Sequence, residues 1–126
     1  MGAVEPGADT LPLTESSGVE QRLAVMAKFF HGLSDLTRLR IVEVLLADGE
    51  QNVSELVALI GQPQSRVSNH LACLRWCGYV GSRREGKFIY YRIADPRVRE
   101  LVTLARGVIA DHSEAILSCT RIEGDR

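Results

Sequence analysis

Apolar residues recur at helical spacing along most of the chain. Five segments repeat an apolar side chain every three or four residues, the pattern of an amphipathic helix that covers a core. Between the fourth and fifth segments the helical spacing is lost, and aromatic and β-branched residues dominate residues 87–93. In chain order the predicted helices span about residues 19–33, 34–48, 52–61, 63–78 and 95–117.

Polar residues and prolines mark the ends of these helices. Ser34 or Asp35 can cap the second helix, and Asn52 and Glu55 have the spacing of a capping box at the third. Asp95, followed by a proline, has the same role at the last helix. The brief link Gly61-Gln62 joins the third and fourth helices, as in a helix-turn-helix.

The fourth helix starts at Pro63, which suits a first helical turn, and Gly78 terminates it. After it, Tyr79–Arg84 and Lys87–Ile93 are predicted as two strands around Glu85-Gly86, the pattern of a β-hairpin. The order of four helices, a hairpin and a fifth helix predicts a mainly α fold with a β-hairpin wing, a winged helix-turn-helix. The first and last helices carry more apolar surface than the small central core needs, which predicts a homodimer through both.

The ends of the chain differ from this domain. Residues 1–18 contain glycines, prolines and three acidic residues without a basic one, which predicts a disordered tail. Residues 19–118 form the predicted DNA-binding and dimerisation domain, and residues 119–126 form a C-terminal tail.

The composition is that of one ordinary globular domain. The 126 residues are 45% hydrophobic and 25% charged. No apolar run approaches the roughly 20 residues that span a bilayer, and no basic segment precedes an apolar leader. We therefore expect a cytoplasmic protein with no membrane partner.

The net charge of −1 argues against a nucleic-acid partner until its distribution is considered. Residues 63–92 hold six basic residues and one acidic one, a charge of +5, whereas the rest of the chain carries −6. Positive charge therefore lies on the fourth helix and the hairpin, where Lys and Arg can bind phosphates and amide or hydroxyl side chains can read bases. The predicted DNA contacts are Gln64, Ser65, Arg66, Ser68, Asn69, Arg75, Arg83, Arg84 and Lys87.

Three blocks of this sequence resemble the ArsR/SmtB family of metal-responsive repressors. They are residues 34–41, residues 64–71, and Glu85-Gly86-Lys87 with residues 89–93, in family order and spacing. Leu36 departs from the family, which usually has proline there. The resemblance implies a homodimer on double-stranded operator DNA, at an imperfect inverted repeat, that is released when an inducer binds.

Three cysteines make a metal ion a candidate inducer. Cys73 and Cys77 lie four residues apart on the fourth helix, so their Cβ atoms are about 5–6 Å apart on one face. One ion can take both thiolates, and Cys119, after the last helix, can supply a third. Thiolates suit Cd, Pb, Hg, As(III), Cu(I) or Zn. Buried cysteines are also often plain small hydrophobes, so spacing alone leaves this open.

Residues 68–78 are similar to the recognition helix of the CmtR subgroup of this family, which senses cadmium and lead. That resemblance implies a metal site of Cys73, Cys77 and Cys119, with the last thiol supplied by the other subunit, and favours Cd or Pb. Asp111, His112 or Glu114 can add a ligand, although they also suit a polar helix end. The two other histidines, His31 and His70, are predicted to be structural.

Other functions remain open at this point. One is a thiol-redox or sulfide-sensing repressor on the same scaffold, and another is a constitutive DNA-binding protein with structural zinc. An enzyme is not expected, because the sequence has no Cys-x-x-Cys, no glycine-rich phosphate loop and no convincing nucleophile–base pair.

Overall fold

Five helices surround a small sheet in the computed structural model, which describes residues 15–119. The fold is the predicted winged helix-turn-helix. The elements in chain order are α1 (Glu15–His31), α2 (Leu36–Asp48), β1 (Gln51–Asn52), α3 (Val53–Ile60), α4 (Gln64–Trp76), β2 (Val80–Glu85), β3 (Phe88–Ile93) and α5 (Arg97–Leu117).

Helix α1 begins at Glu15, four residues before the predicted start at Val19. The predicted disordered tail, residues 1–18, therefore includes the first helical turn. Its remaining residues, 1–14, lie outside the described residues, as do residues 120–126 of the predicted C-terminal tail.

Side-chain caps set the starts of three helices as predicted. Asp35, rather than Ser34, caps α2 by accepting a hydrogen bond from the Arg38 amide at 3.0 Å. Asn52 and Glu55 form both bonds of a capping box at α3, each 2.8 Å long. Asp95 accepts a 2.9 Å bond from the Arg97 amide at the start of α5. The starts of α2, α3 and α5 are therefore set by local sequence.

Helix α4 begins one residue later than predicted, because the ψ of 149° at Pro63 is extended rather than helical. At the other end Gly78 has a φ of 90°, which lets the Tyr79 amide reach back to the Leu74 carbonyl at 3.0 Å. This C-terminal motif reverses the chain into β2 at the predicted position.

The wing is a two-residue hairpin within a three-stranded antiparallel sheet of order β1-β3-β2. Strands β2 and β3 pair from Val80 with Ile93 to Glu85 with Phe88. The loop is Gly86-Lys87, one residue later than predicted, and the φ of 65° at Gly86 suits the first position of such a loop. The short strand β1, which pairs with Tyr90 and Tyr91, was not predicted.

The core lies between α2, α3, α4 and the base of the sheet. Helix α5 contributes only its first turns, and Phe29 of α1 and Leu33, which follows α1, pack against the edge of the core. The buried apolar residues are Ile41, Val42, Leu45, Leu56, Ile60, Val67, Leu71, Leu74, Tyr79, Val80, Val98 and Val102. No helix within residues 15–119 has the length and hydropathy needed to cross a membrane.

Helices α1 and α5 leave many large apolar side chains exposed, as the sequence pattern predicted. Exposed members are Val19, Leu23, Val25, Met26 and Phe30 on α1, and Leu104, Val108, Ile109, Ile116 and Leu117 on α5. An apolar groove also runs between the two helices, lined by residues that include Phe30, Leu33, Leu101 and Ile109. One protomer alone leaves this surface uncovered.

Candidate DNA-reading surface and thiol site

Helix α4 exposes the polar residues predicted to read DNA. Val67, Leu71 and Leu74 are fully buried, which turns the opposite side of the helix to solvent. Gln64, Ser65, Arg66 and Asn69 are exposed, and Ser68 is half-buried. The first turns of α4 therefore present donors and acceptors of the kind that recognise base edges.

The exposed row continues to the end of α4 and includes a residue that sequence reasoning missed. Trp76, the one tryptophan of the chain, is 89% exposed and borders a shallow cavity with Ala72 and Arg75. It follows Ser65, Asn69 and Ala72 at steps of four, three and four. That spacing is the signal that could have identified it.

Two neighbouring arginines of the wing, Arg83 and Arg84, were both predicted to contact DNA, but they differ in their surroundings. Alternation along β2 places Arg83 and Arg84 on opposite faces of the sheet. Arg83 donates two hydrogen bonds of 2.8 Å to Glu50, also pairs with Glu85, and lies 4.9 Å from the centre of the Tyr90 ring.

These contacts neutralise much of the Arg83 charge in the free protein. Its hydrogen bond holds the pKa of the Glu50 carboxyl below the ordinary value. Arg84, on β2, and Lys87, in the loop, are exposed at the tip of the wing. Arg84 and Lys87 thus keep exposed positive charge at the tip of the wing, whereas Arg83 is paired with carboxylates.

Cys73 and Cys77 lie together near the end of α4. Both are free, half-buried thiols, and Cys77 occupies the C-cap position. Burial raises the pKa of the Cys77 thiol, and the neighbouring Cys73 raises it further. The predicted pair of soft ligands thus lies on the same helix as the residues predicted to read DNA.

The Cys77 thiol also contacts α1. Its Sγ lies 4.0 Å from the Lys28 carbonyl oxygen, and Gly32 packs directly against it. Beside it, the Tyr79 hydroxyl donates a 2.7 Å hydrogen bond to the Phe29 carbonyl. Sequence reasoning did not anticipate these contacts, because they join segments about 50 residues apart.

A polar cluster lies next to this junction. Arg38 donates to the carbonyl of Gly32 at 2.7 Å, and its guanidinium is 3.3 Å from Nδ1 of His70. The same Nδ1 is 3.8 Å from Asp35. His70 therefore joins α4 to the start of α2, in line with the structural role predicted for it.

The third predicted ligand, Cys119, lies just beyond α5 and is half-buried. Across residues 15–119, no three side chains of His, Cys, Asp or Glu meet in a group able to hold a metal ion. A single protomer thus brings together two of the three predicted thiols. Near the end of α5, His112 sits at a kink, with φ −131° and ψ 15°, and its Nδ1 is 3.0 Å from the Val108 carbonyl.

Comparison with known proteins identifies the family. Residues 35–82 match the family model described as "Bacterial regulatory protein, arsR family". The chain is 48% identical over 99 residues to a probable mercury resistance operon repressor of Streptomyces lividans, covering 79% of this chain and 78% of that protein. It is 41% identical over 92 residues to the transcriptional regulator CmtR of Mycobacterium tuberculosis, covering 72% and 77% respectively.

A solved structure supports the same assignment. The homodimeric winged helix-turn-helix DNA-binding domain Mb0332 of Mycobacterium bovis superposes with a TM-score of 0.66 at 34% identity, covering 74% of this chain and 84% of that one. The fold, the exposed polar face of α4 and these relatives agree, and the chain belongs to the arsR family of bacterial regulatory proteins.

Proposed function

We propose that this protein is a repressor that binds its operator as a metal-free homodimer and leaves it when a soft, thiophilic metal ion binds Cys73, Cys77 and Cys119. One observation carries the proposal. The thiol pair lies in the last turns of α4, whose first turns present the residues suited to reading bases.

The DNA interface of the proposal combines two kinds of contact. Gln64, Ser65, Ser68 and Asn69 offer the hydrogen bonds that distinguish base pairs, whereas basic side chains of α4 and the wing bind phosphates. A protomer has a single reading helix, so a dimer is needed to match an inverted repeat. The exposed apolar sides of α1 and α5 support dimerisation through those helices.

The metal site of the proposal needs a second protomer. Two thiols of one α4 meet, whereas Cys119 of the same chain does not join them. In the proposal, a Cys119 thiol from the partner subunit supplies the third soft ligand. Thiolates select Cd, Pb or Hg over hard cations. Mercury is included because the relative from Streptomyces lividans is named as a mercury resistance repressor.

In this scheme the metal ion binds the dimer conformation that has low DNA affinity better than it binds the conformation that has high DNA affinity. Because metal lowers DNA affinity in this scheme, DNA must lower metal affinity by the same factor. The two thiols lie on the helix proposed to read the bases, so metal binding and DNA binding act on the same element. Couplings of this kind are typically about 5–150-fold.

The test measures operator affinity at fixed salt, using a DNA site selected by the protein from a random library. Cd²⁺, Pb²⁺ and Hg²⁺ should each be compared with Mg²⁺, which thiolates do not favour. We expect a thiophilic ion to weaken binding at least about fivefold, and Cys73→Ser to remove the response while metal-free binding is kept. Equal affinity with and without each thiophilic ion contradicts the proposal.

A mixing experiment decides how Cys119 contributes. A Cys73→Ser/Cys77→Ser double variant and a Cys119→Ser variant each lack a complete site. In a mixed dimer, a site shared between subunits is restored once, whereas a site within one subunit is never restored. We expect mixing to recover about half of the thiolate-to-metal absorption band in those dimers.

The same samples distinguish the proposed function from the two alternative functions, a redox or sulfide sensor and a protein with structural zinc. A redox or sulfide sensor loses DNA binding on oxidation without metal, and its intact mass shows a modified or crosslinked cysteine pair. A structural zinc protein instead unfolds when a chelator removes its metal.

A further inference from the structure

The last turn of α1 is held by side chains that come from other parts of the chain. Arg38 donates to the carbonyl oxygens of His31 and Gly32, at 3.3 and 2.7 Å. Tyr79 donates to the Phe29 carbonyl at 2.7 Å, and Cys77 makes a longer contact of 4.0 Å with that of Lys28. Carbonyls at a helix end lack partners within the helix, so these contacts stabilise the end of α1.

Gly32 makes this close approach sterically allowed. A Cβ at residue 32 would lie 2.9 Å from the Cys77 sulfur and 3.2 Å from both the Tyr79 ring and the Phe29 carbonyl oxygen. The Tyr79 ring also stacks on Phe29, with 4.6 Å between centroids. The sulfur of one proposed metal ligand thus fits tightly against the turn that ends α1.

We propose that residues 28–32, at the end of α1, transmit the state of the thiol site to the dimer, with Gly32, Arg38 and Tyr79 as positioning residues. This inference rests on the proposed function. A Cys77 sulfur that ligates an ion turns toward that ion and toward Cys73, and so gives up its contact with α1. Because α1 also carries exposed apolar residues suited to dimerisation, a shift of its last turn changes how the two reading helices are spaced.

The alternative is that metal acts within α4 alone. The two routes differ in what happens at the amides of Gly32, Leu33 and Ser34, which donate to carbonyls of the last turn of α1. If the turn transmits the signal, Cd²⁺ speeds hydrogen exchange at these amides. If α4 acts alone, their exchange stays as it is in the metal-free dimer.

Gly32→Ala tests the route without removing a ligand. It pushes the Cys77 sulfur away from α1, so we expect metal-free operator binding to weaken by about fivefold or more and the response to Cd²⁺ to shrink. Leu59→Ala is the control, because its side chain is exposed on α3, outside the thiol site and the proposed dimer helices. It should behave as the unsubstituted protein.

A milder variant serves if Gly32→Ala does not fold. Tyr79→Phe removes only the hydroxyl that caps Phe29 and keeps the stacked ring. We expect faster exchange at residues 32–34 without metal, and a smaller effect of Cd²⁺ on operator affinity.

The possible results distinguish failure of this inference from failure of the proposed function on which it rests. Suppose Cd²⁺ produces the thiolate absorption band and weakens operator binding while exchange at residues 32–34 is unchanged. The inference is then overturned and the proposed function stands. If Cd²⁺ gives neither band nor loss of DNA binding, both are rejected.

Discussion

Asp35 shows how one side chain can link stability to pH. Its carboxylate accepts the Arg38 amide at the start of α2, and this bond is the main cause of its lowered pKa. A carboxyl with a lowered pKa stabilises the fold above its ordinary value of 3.8, and the contribution is lost as pH falls through the lowered value. We expect Asp35→Ala to reduce the free energy of unfolding by about 1 kcal/mol at neutral pH, measured by urea denaturation.

Asp35→Asn is the control for that prediction. Asparagine keeps an oxygen that can accept the Arg38 amide, so most of the cap should survive at neutral pH. Because it does not titrate, the variant should lose less stability than the unsubstituted protein below about pH 4. Parallel acid unfolding curves for the two proteins would show that the charge of Asp35 contributes nothing.

Residues that act on their close neighbours in sequence are predictable, and those that act across the fold are not. The cap of Asn52 and the turn at Gly78 depend on a few adjacent amides, and both were predicted correctly. The role of Arg38 depends instead on where α1 ends relative to α2. Arg83 likewise meets Glu50 only once the sheet has formed, so its basic character suggested DNA while the folded chain pairs it with carboxylates.

At the level of elements, the wing contains one arginine that is paired and one lysine at its exposed loop. Lys87→Ala should weaken operator binding evenly across sequences and lower the slope of log affinity against log salt by about 1. Arg83→Ala should lower that slope by clearly less, because its charge already interacts with Glu50 and Glu85. Fluorescence anisotropy over a salt series measures both. Equal slopes for the two variants would mean that Arg83 leaves its carboxylates when DNA binds.

Strand β1 explains why the sheet was only partly predicted. Gln51 and Asn52 are polar and too few to show an alternating pattern, and they form a strand only because Tyr90 and Tyr91 of β3 lie beside them. The hairpin, in contrast, has six residues in each strand and a glycine in its loop. Its run of aromatic and β-branched residues and the turn glycine were sufficient to predict it, and the loop position was missed by a single residue.

At the level of the whole molecule, the sequence predicted that two thiols lie together on α4, but it did not predict where the third thiol lies relative to them. The pair on α4 follows from helical spacing, since residues four apart share a face. Cys119 lies about 40 residues later, and its distance from the pair depends on how α5 and a second protomer are arranged. Helical periodicity contains no information on that arrangement, so the third ligand stays a prediction for the mixed-dimer experiment.

The exposed apolar surface of α1 leads to the last prediction. Leu23 is 61% exposed on α1, and Leu59 is 52% exposed on α3, away from the proposed dimer helices. In a two-fold dimer a Leu23→Glu substitution occurs twice, and each buried carboxylate without a partner costs at least about 2 kcal/mol. The dimer should therefore weaken by about a thousandfold.

Leu59→Glu changes the protein charge equally and should leave the dimer intact. Sedimentation equilibrium of the two variants measures the difference, and operator affinity should fall with dimer dissociation in Leu23→Glu because a monomer presents a single reading helix. A Leu23→Glu protein that remains dimeric would place the interface elsewhere. The exposed side of α1 would then need another partner, and the shared metal site would lose its structural basis.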